Sequence, residues 1–60
     1  QKALILEILS EGPRSVREIA AASGLPVYTI SILLGEIEKA GQIDLHGYEG
    51  TTPKFVRLAA

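Results

Sequence analysis

The sequence predicts a mainly α-helical fold that ends in a small β-hairpin, and three observations support this fold class. Apolar residues recur at helical spacing in three segments before residue 41. Glycine and proline separate these segments, and after Gly41 the pattern changes to the alternation typical of strands. The chain has 60 residues, 47% of them hydrophobic, and no cysteine, so we expect one domain over residues 1–60 that is stabilised by apolar packing alone.

The first two helices are predicted from apolar spacing and from end signals. Leucine and isoleucine repeat on one face from Lys2 to Leu9, and Gly12-Pro13 then stops the helix. Ser15 and Glu18 match the capping box, in which each side chain bonds a free backbone N–H at a helix start. The second helix is therefore predicted to begin at Val16.

A third helix is predicted over residues 26–40. Ser23-Gly24 supplies the left-handed exit from the second helix that glycine adopts readily, and Pro26 is suited to open the next one. The residues predicted to face inward are Ile30, Leu33, Leu34 and Ile37. Glycine inside a helix is about 1 kcal/mol less favourable than alanine, so Gly35 is predicted to serve a close approach of another segment.

The last part of the chain has the pattern of a hairpin. Ile43 and Leu45 alternate with polar residues, and residues 55–58 have strand character. The intervening residues 47–53 are rich in turn formers. We therefore expect two strands joined by a long tip.

The junction of the second and third helices indicates a helix-turn-helix. A turn of about four residues that contains glycine is typical of this motif. Ala20 is small enough for the two helices to cross closely, and Gly24 makes the turn. The residues predicted to fill the shared core are Leu25, Ile30 and Leu33.

With these features the whole chain resembles a winged helix-turn-helix domain. The segments ILEILSEGPRSVREIAAASGLP and LLGEIEKAGQI are similar to the carboxy-terminal winged-helix domain of bacterial DNA-processing protein A and to the amino-terminal domain of IclR-type transcriptional regulators. The resemblance implies a DNA-binding domain of a prokaryotic regulator or DNA-processing protein, with helix 26–40 in the major groove and the wing, residues 46–54, on the backbone. Because the chain begins at Gln1, we expect a domain of a longer protein.

The expected nucleic-acid contacts lie on the outward face of the third helix and in the basic segments around it. Serine, threonine and tyrosine hydroxyls donate to phosphates or base edges, isoleucine contacts a thymine methyl, and Arg17 and Lys54 are expected on phosphates. The predicted contacts are Arg14, Arg17, Tyr28, Thr29, Ser31, Ile32, Thr51 and Lys54.

Charge leaves a second class of function open. Six Lys and Arg against seven Asp and Glu give a net charge of −1, so the chain as a whole does not attract nucleic acid and double-stranded DNA would be bound weakly by a single domain. An outward face without a cation also suits a protein surface. The alternative is a protein-interaction or oligomerisation module, including a homodimer through the third helix.

Other functions are not expected. His46 is the only histidine and there is no cysteine, so we expect no metal site and no cofactor. No serine has a plausible histidine partner and no phosphate-binding glycine motif occurs, so an enzyme with a small-molecule substrate is not expected. Apolar runs of at most four residues predict no membrane span, and nothing resembles a signal peptide, so a cytoplasmic location is expected.

Overall fold

A computed structural model describes residues 1–58, and it contains three helices followed by a two-stranded antiparallel sheet. The elements are α1 (Lys2–Leu9), α2 (Val16–Ser23), α3 (Val27–Lys39), β1 (Ile43–Glu49) and β2 (Thr52–Arg57). This order confirms the predicted fold class.

The start of α2 is fixed by the predicted capping box. The Glu18 backbone N–H donates to the Ser15 hydroxyl at 3.2 Å, and the Ser15 backbone N–H donates to the Glu18 carboxylate at 2.9 Å. The Ser15 side chain is buried. Each bond satisfies one of the N–H groups that a helix start leaves without an intrahelical partner. The predicted start at Val16 is therefore confirmed.

The helix-turn-helix is also confirmed. Gly24 ends α2 in the left-handed conformation, with φ of 76°, and its N–H donates to the Ala20 carbonyl. Pro26 stands immediately before α3 with φ of −63°, where the N–H that it lacks has no helical partner to bond. The axes of α2 and α3 are bent by 112° relative to each other, within the range of helix-turn-helix motifs.

An aliphatic core holds the helices and the first strand together. Its buried members are Ile5, Leu9, Ile19, Ile30, Leu34, Ile37 and Ile43. Half-buried side chains pack around this cluster, among them Ala20, Leu25, Leu33 and Phe55. Burial of one such isoleucine contributes about 1.5–3 kcal/mol, so the core can stabilise this small domain.

The hairpin differs from the prediction in the length of its tip. The strands remain paired as far as Glu49 and Thr52, so the connection has only two residues, Gly50 and Thr51. Gly50 has φ of 66°, and a two-residue hairpin with glycine first needs such a conformation. The predicted long tip was wrong because glycine, threonine and proline, which were taken for loop residues, pair within the strands. A bulge at His46 shifts the register between Leu45 and Gly47.

Gly35 was predicted to serve a close approach, and this prediction was wrong. A Cβ atom built on Gly35 would meet no atom within 4 Å. The residue is exposed on α3. The glycine therefore provides no contact that alanine would prevent.

A backbone bridge joins the start of α2 to the hairpin. The Arg14 N–H donates to the Phe55 carbonyl at 3.0 Å, and the Phe55 N–H donates to the Arg14 carbonyl at 2.8 Å. The bridge adds a single residue to the edge of β2. A strand of one residue leaves no alternating pattern, and for this reason the sequence did not predict it.

Candidate nucleic-acid interface

An open groove lies between the start of α2, the start of α3 and the hairpin tip, and we call it the α2–hairpin groove. Its volume is about 500 Å³. The lining residues are Ser15, Val16, Arg17, Val27, Ser31, Thr51, Thr52 and Pro53. Three of the predicted nucleic-acid contacts, Arg17 on α2, Ser31 on α3 and Thr51 in the hairpin connection, thus come together.

The polar groups of this groove are of the kinds that bind phosphate oxygens. Arg17 is exposed in the first turn of α2, and its guanidinium is a permanent cation with a fork of N–H donors. Ser31 on α3 and Thr51 at the hairpin tip are both exposed and have hydroxyls that can donate. The Arg17 guanidinium and the hydroxyls of Ser31 and Thr51, with that of the exposed Thr52, therefore line a space open to solvent.

The outer face of α3 continues from the groove. Tyr28 is 77% exposed and Ile32 is 47% exposed, as predicted for residues that contact a partner. Thr29, predicted on the same face, is half-buried. No side chain caps the N-terminus of α3, so the N–H groups of its first turn are available to an acceptor.

Lys54 does not line the groove, since its ammonium group lies against acidic residues. Lys54 Nζ is 2.6 Å from Glu18 Oε1 and 3.9 Å from Glu49 Oε1, and the lysine side chain is only 17% exposed. Donation from Lys54 and from the Ser15 N–H lowers the pKa of Glu18 from 4.5 to about 2. Glu18 therefore stays charged at neutral pH and partly offsets the lysine charge.

Arg14 is also placed away from the groove. Its backbone is bonded to β2, and the residue as a whole is half-buried. The guanidinium donates to the Pro13 carbonyl at 2.8 Å. Its remaining donors are still able to reach an acceptor.

Sequence reasoning missed two features of this site. Val27, Thr52 and Pro53 line the groove, and only their proximity to Arg17 in the fold reveals this. Glu18 was interpreted as a helix cap alone, although it also bonds Lys54, which is 36 positions away in the chain. The capping pattern gave a sufficient reason for this glutamate, so no signal pointed to a second partner.

Residues 1–58 contain neither a cluster of metal-ligating side chains nor a single helix able to span a membrane. No group of three or more His, Cys, Asp or Glu side chains in this range could hold a metal ion. No single helix there is long and apolar enough to cross a membrane, although α2 and α3 taken together, with a bend of 112° between them, have the length and composition for it.

Comparison with known proteins identifies the fold and the family. The model of the DprA winged helix domain matches residues 1–47. A solution structure from Mycobacterium bovis, the homodimeric winged helix-turn-helix DNA-binding domain of a possible ArsR-family transcriptional regulator, is similar with a TM-score of 0.86 and 29% sequence identity. The similarity covers 97% of this chain and 53% of that one, so this chain spans about half the length of its structural relative.

No curated protein matches the chain significantly. The three helices, the hairpin and the structural match confirm a winged helix-turn-helix fold, and the sequence resemblance to DNA-processing protein A agrees with the family match. The family match extends over residues 1–47 of the 60-residue chain. The chain therefore belongs to the DprA winged helix domain family.

Proposed function

We propose that this domain binds double-stranded DNA as part of a prokaryotic transcriptional regulator or DNA-processing protein. The observation that carries the proposal is the α2–hairpin groove, in which Arg17, Ser31 and Thr51 converge beside the exposed face of α3. The description of the similar Mycobacterium bovis structure as a DNA-binding domain supports it.

In the proposed complex α3 enters the major groove and the hairpin follows the phosphate backbone. Helix α3 has 13 residues and is thus about 20 Å long, and a major groove about 12 Å wide admits a helix. Tyr28, Ser31 and Ile32 lie on the exposed face of α3, where they would meet base edges or nearby phosphates. The half-buried Thr29 would contribute a hydroxyl contact at the edge of this α3 surface.

Charge supports a weak and strongly localised interaction. Arg17 is the cation that lines the groove. Lys54 has three N–H donors, so it can hold Glu18 and still reach a phosphate, and Arg14 is a further proposed contact. Neutralisation of two or three phosphates gives a slope of log K against log salt of roughly −2 to −3. Tight binding would then require a second domain or a dimer.

The residue types on α3 indicate a modest sequence preference. Lys39, at the helix end, is the only cation of α3, and the helix has no Arg, Asn or Gln, the residues that form bidentate bonds to guanine or adenine. Ser31 and Ile32 leave a hydroxyl contact and a contact with a thymine methyl. Most of the affinity would therefore come from the backbone.

A salt series with matched arginine variants tests the proposal. We expect Arg17→Ala to weaken binding of a fluorescent duplex on all sequences and to reduce the salt slope by about 0.9, the loss of one phosphate contact. Arg57→Ala also removes one arginine charge, but at the end of β2 that is far from the hairpin tip and outside the groove. This substitution should leave the salt slope almost unchanged. Equal effects of the two substitutions would contradict a DNA site in this groove.

Exposed apolar side chains favour a second candidate, self-association through α3. Val27, Tyr28 and Ile32 are all exposed on this helix, and the similar Mycobacterium bovis domain is described as homodimeric. If α3 binds another copy, amide signals of these residues should shift with protein concentration in the absence of DNA. Sedimentation equilibrium should then show a dimer that Ile32→Asp dissociates.

A further inference from the structure

The carboxylate of Glu18 connects the start of α2 to the hairpin through two bonds. Its Oε1 atom accepts from the Ser15 backbone N–H at 2.9 Å and from Lys54 Nζ at 2.6 Å. The first bond belongs to the helix cap, and the second crosses to β2. One side chain therefore fixes its own helix and a segment 36 residues away.

The position of Lys54 makes this bond important for the hairpin tip. The preceding residues, Pro53 and Thr52, line the α2–hairpin groove, and Thr51 lies at the tip. The following residue, Phe55, is bonded through its backbone to Arg14. The Lys54–Glu18 pair is thus the tie to α2 that lies between the backbone bridge and the tip.

We propose that Glu18 is a positioning residue of the interface, which holds Lys54 and the hairpin tip so that Thr51 stands opposite Arg17 across the groove. This inference rests on the proposed function for its consequence in DNA binding. The arrangement itself is a property of the free domain. Glu18 does not contact DNA in this scheme.

Three features of the contact favour a positioning role over an incidental surface pair. The Lys54 side chain is mostly buried, which restricts its movement. Glu18 is itself held by the Ser15 N–H, so the acceptor has a defined position. Glu49, the other acid near Lys54, is 3.9 Å away and largely exposed. The lysine is therefore directed to Glu18.

The test compares two glutamate variants in the free domain. Glutamine is also found at the third position of capping boxes, so Glu18→Gln keeps the helix start and removes the charge that holds Lys54. We expect the backbone ¹H–¹⁵N heteronuclear NOE of Gly50 and Thr51 to decrease, while that of Ser31 is unchanged. Glu49→Gln removes the same charge beside the same lysine and should give wild-type values.

A substitution on the other side of the pair provides an independent measurement. Lys54→Met keeps the apolar stem of the side chain and leaves the helix cap intact, since Lys54 is not part of it. This substitution should reproduce the loss of order at the hairpin tip. The double variant Glu18→Gln/Lys54→Met should be no more mobile than either single variant, since one contact is lost in all three. Wild-type order at Gly50 and Thr51 in both single variants would overturn the inference.

A duplex titration connects the positioning role to binding. In the wild-type domain and in Glu49→Gln, duplex DNA should shift the amide signals of Thr51 and Ser31 together. In Glu18→Gln, the Ser31 shift should remain and the Thr51 shift should be reduced. If duplex shifts neither residue in the wild-type domain, the proposed DNA function fails, and the measurements on the free domain still decide whether Glu18 positions the tip.

Discussion

Helix α3 presents isoleucine on both of its faces, and the two faces differ in what this side chain does. Ile30 is 0% exposed and packs in the core, whereas Ile32 is 47% exposed on the outer face of α3. Residues two positions apart in a helix point in directions about 200° apart. The same residue type therefore stabilises the fold on one face and is available for contact on the other. The core is thus held by apolar burial, whereas the hairpin beside the groove is tied to α2 by the bond between Lys54 and Glu18.

The largest expected change in stability comes from truncating the buried Ile30, and the exposed Ile32 provides the comparison. Ile30→Ala should lower the free energy of unfolding by about 2–5 kcal/mol, because it removes buried methyl groups and leaves a cavity. Ile32→Ala should change it by less than about 0.5 kcal/mol, as is usual at exposed positions. Urea unfolding followed by circular dichroism measures both. Similar losses in the two variants would show that the outer face of α3 is also buried in solution.

A smaller change in stability, of opposite sign at the two positions, is expected when alanine replaces two glycines that differ in backbone conformation. Gly35→Ala should stabilise the domain by about 0.5–1 kcal/mol, because Gly35 lies in a helix interior, with free space around it. Gly24→Ala should destabilise it, because φ of 76° is unfavourable for a residue with a Cβ atom. Thermal unfolding of the two variants provides the measurement, and destabilisation by Gly35→Ala would restore the predicted close approach.

The smallest effect concerns the ion pair beside the groove and depends on pH. The pKa of Glu18 is lowered from 4.5 to about 2 in the folded domain, so the folded state favours the charged carboxylate. This contribution to stability is fully present above pH 4.5 and is lost as the pH falls toward 2. We expect the melting temperature of the wild-type domain to fall more over this interval than that of Glu18→Gln.

Titration of the Glu18 carboxyl group provides a direct check on this pH dependence of stability. The ¹³C signal of the Glu18 side chain should titrate with a midpoint near pH 2. A Glu18 midpoint near the ordinary value of 4.5 would show that Lys54 does not hold Glu18 in solution. It would leave the core, which has no part in this ion pair, unaffected.

Much of the candidate site followed from the sequence because it lies on regular elements. The outward placement of Tyr28, Ser31 and Ile32 was predicted correctly, since helical periodicity determines which residues face away from a core. The roles of these residues in DNA binding remain predictions. The backbone bridge between Arg14 and Phe55, which draws that segment against β2, was not predicted, because a bridge of one residue has no sequence pattern.

The sequence by itself determined the three helices, the start of α2 at Val16 and the left-handed turn at Gly24, because these depend on side-chain spacing and on local bonds such as the capping box. Only the tertiary structure decided that Arg17, Ser31 and Thr51 share one groove and that Lys54 is held by Glu18. These contacts join residues far apart in the chain. Their geometry follows from how the helices and the hairpin pack, and local periodicity contains no information about it.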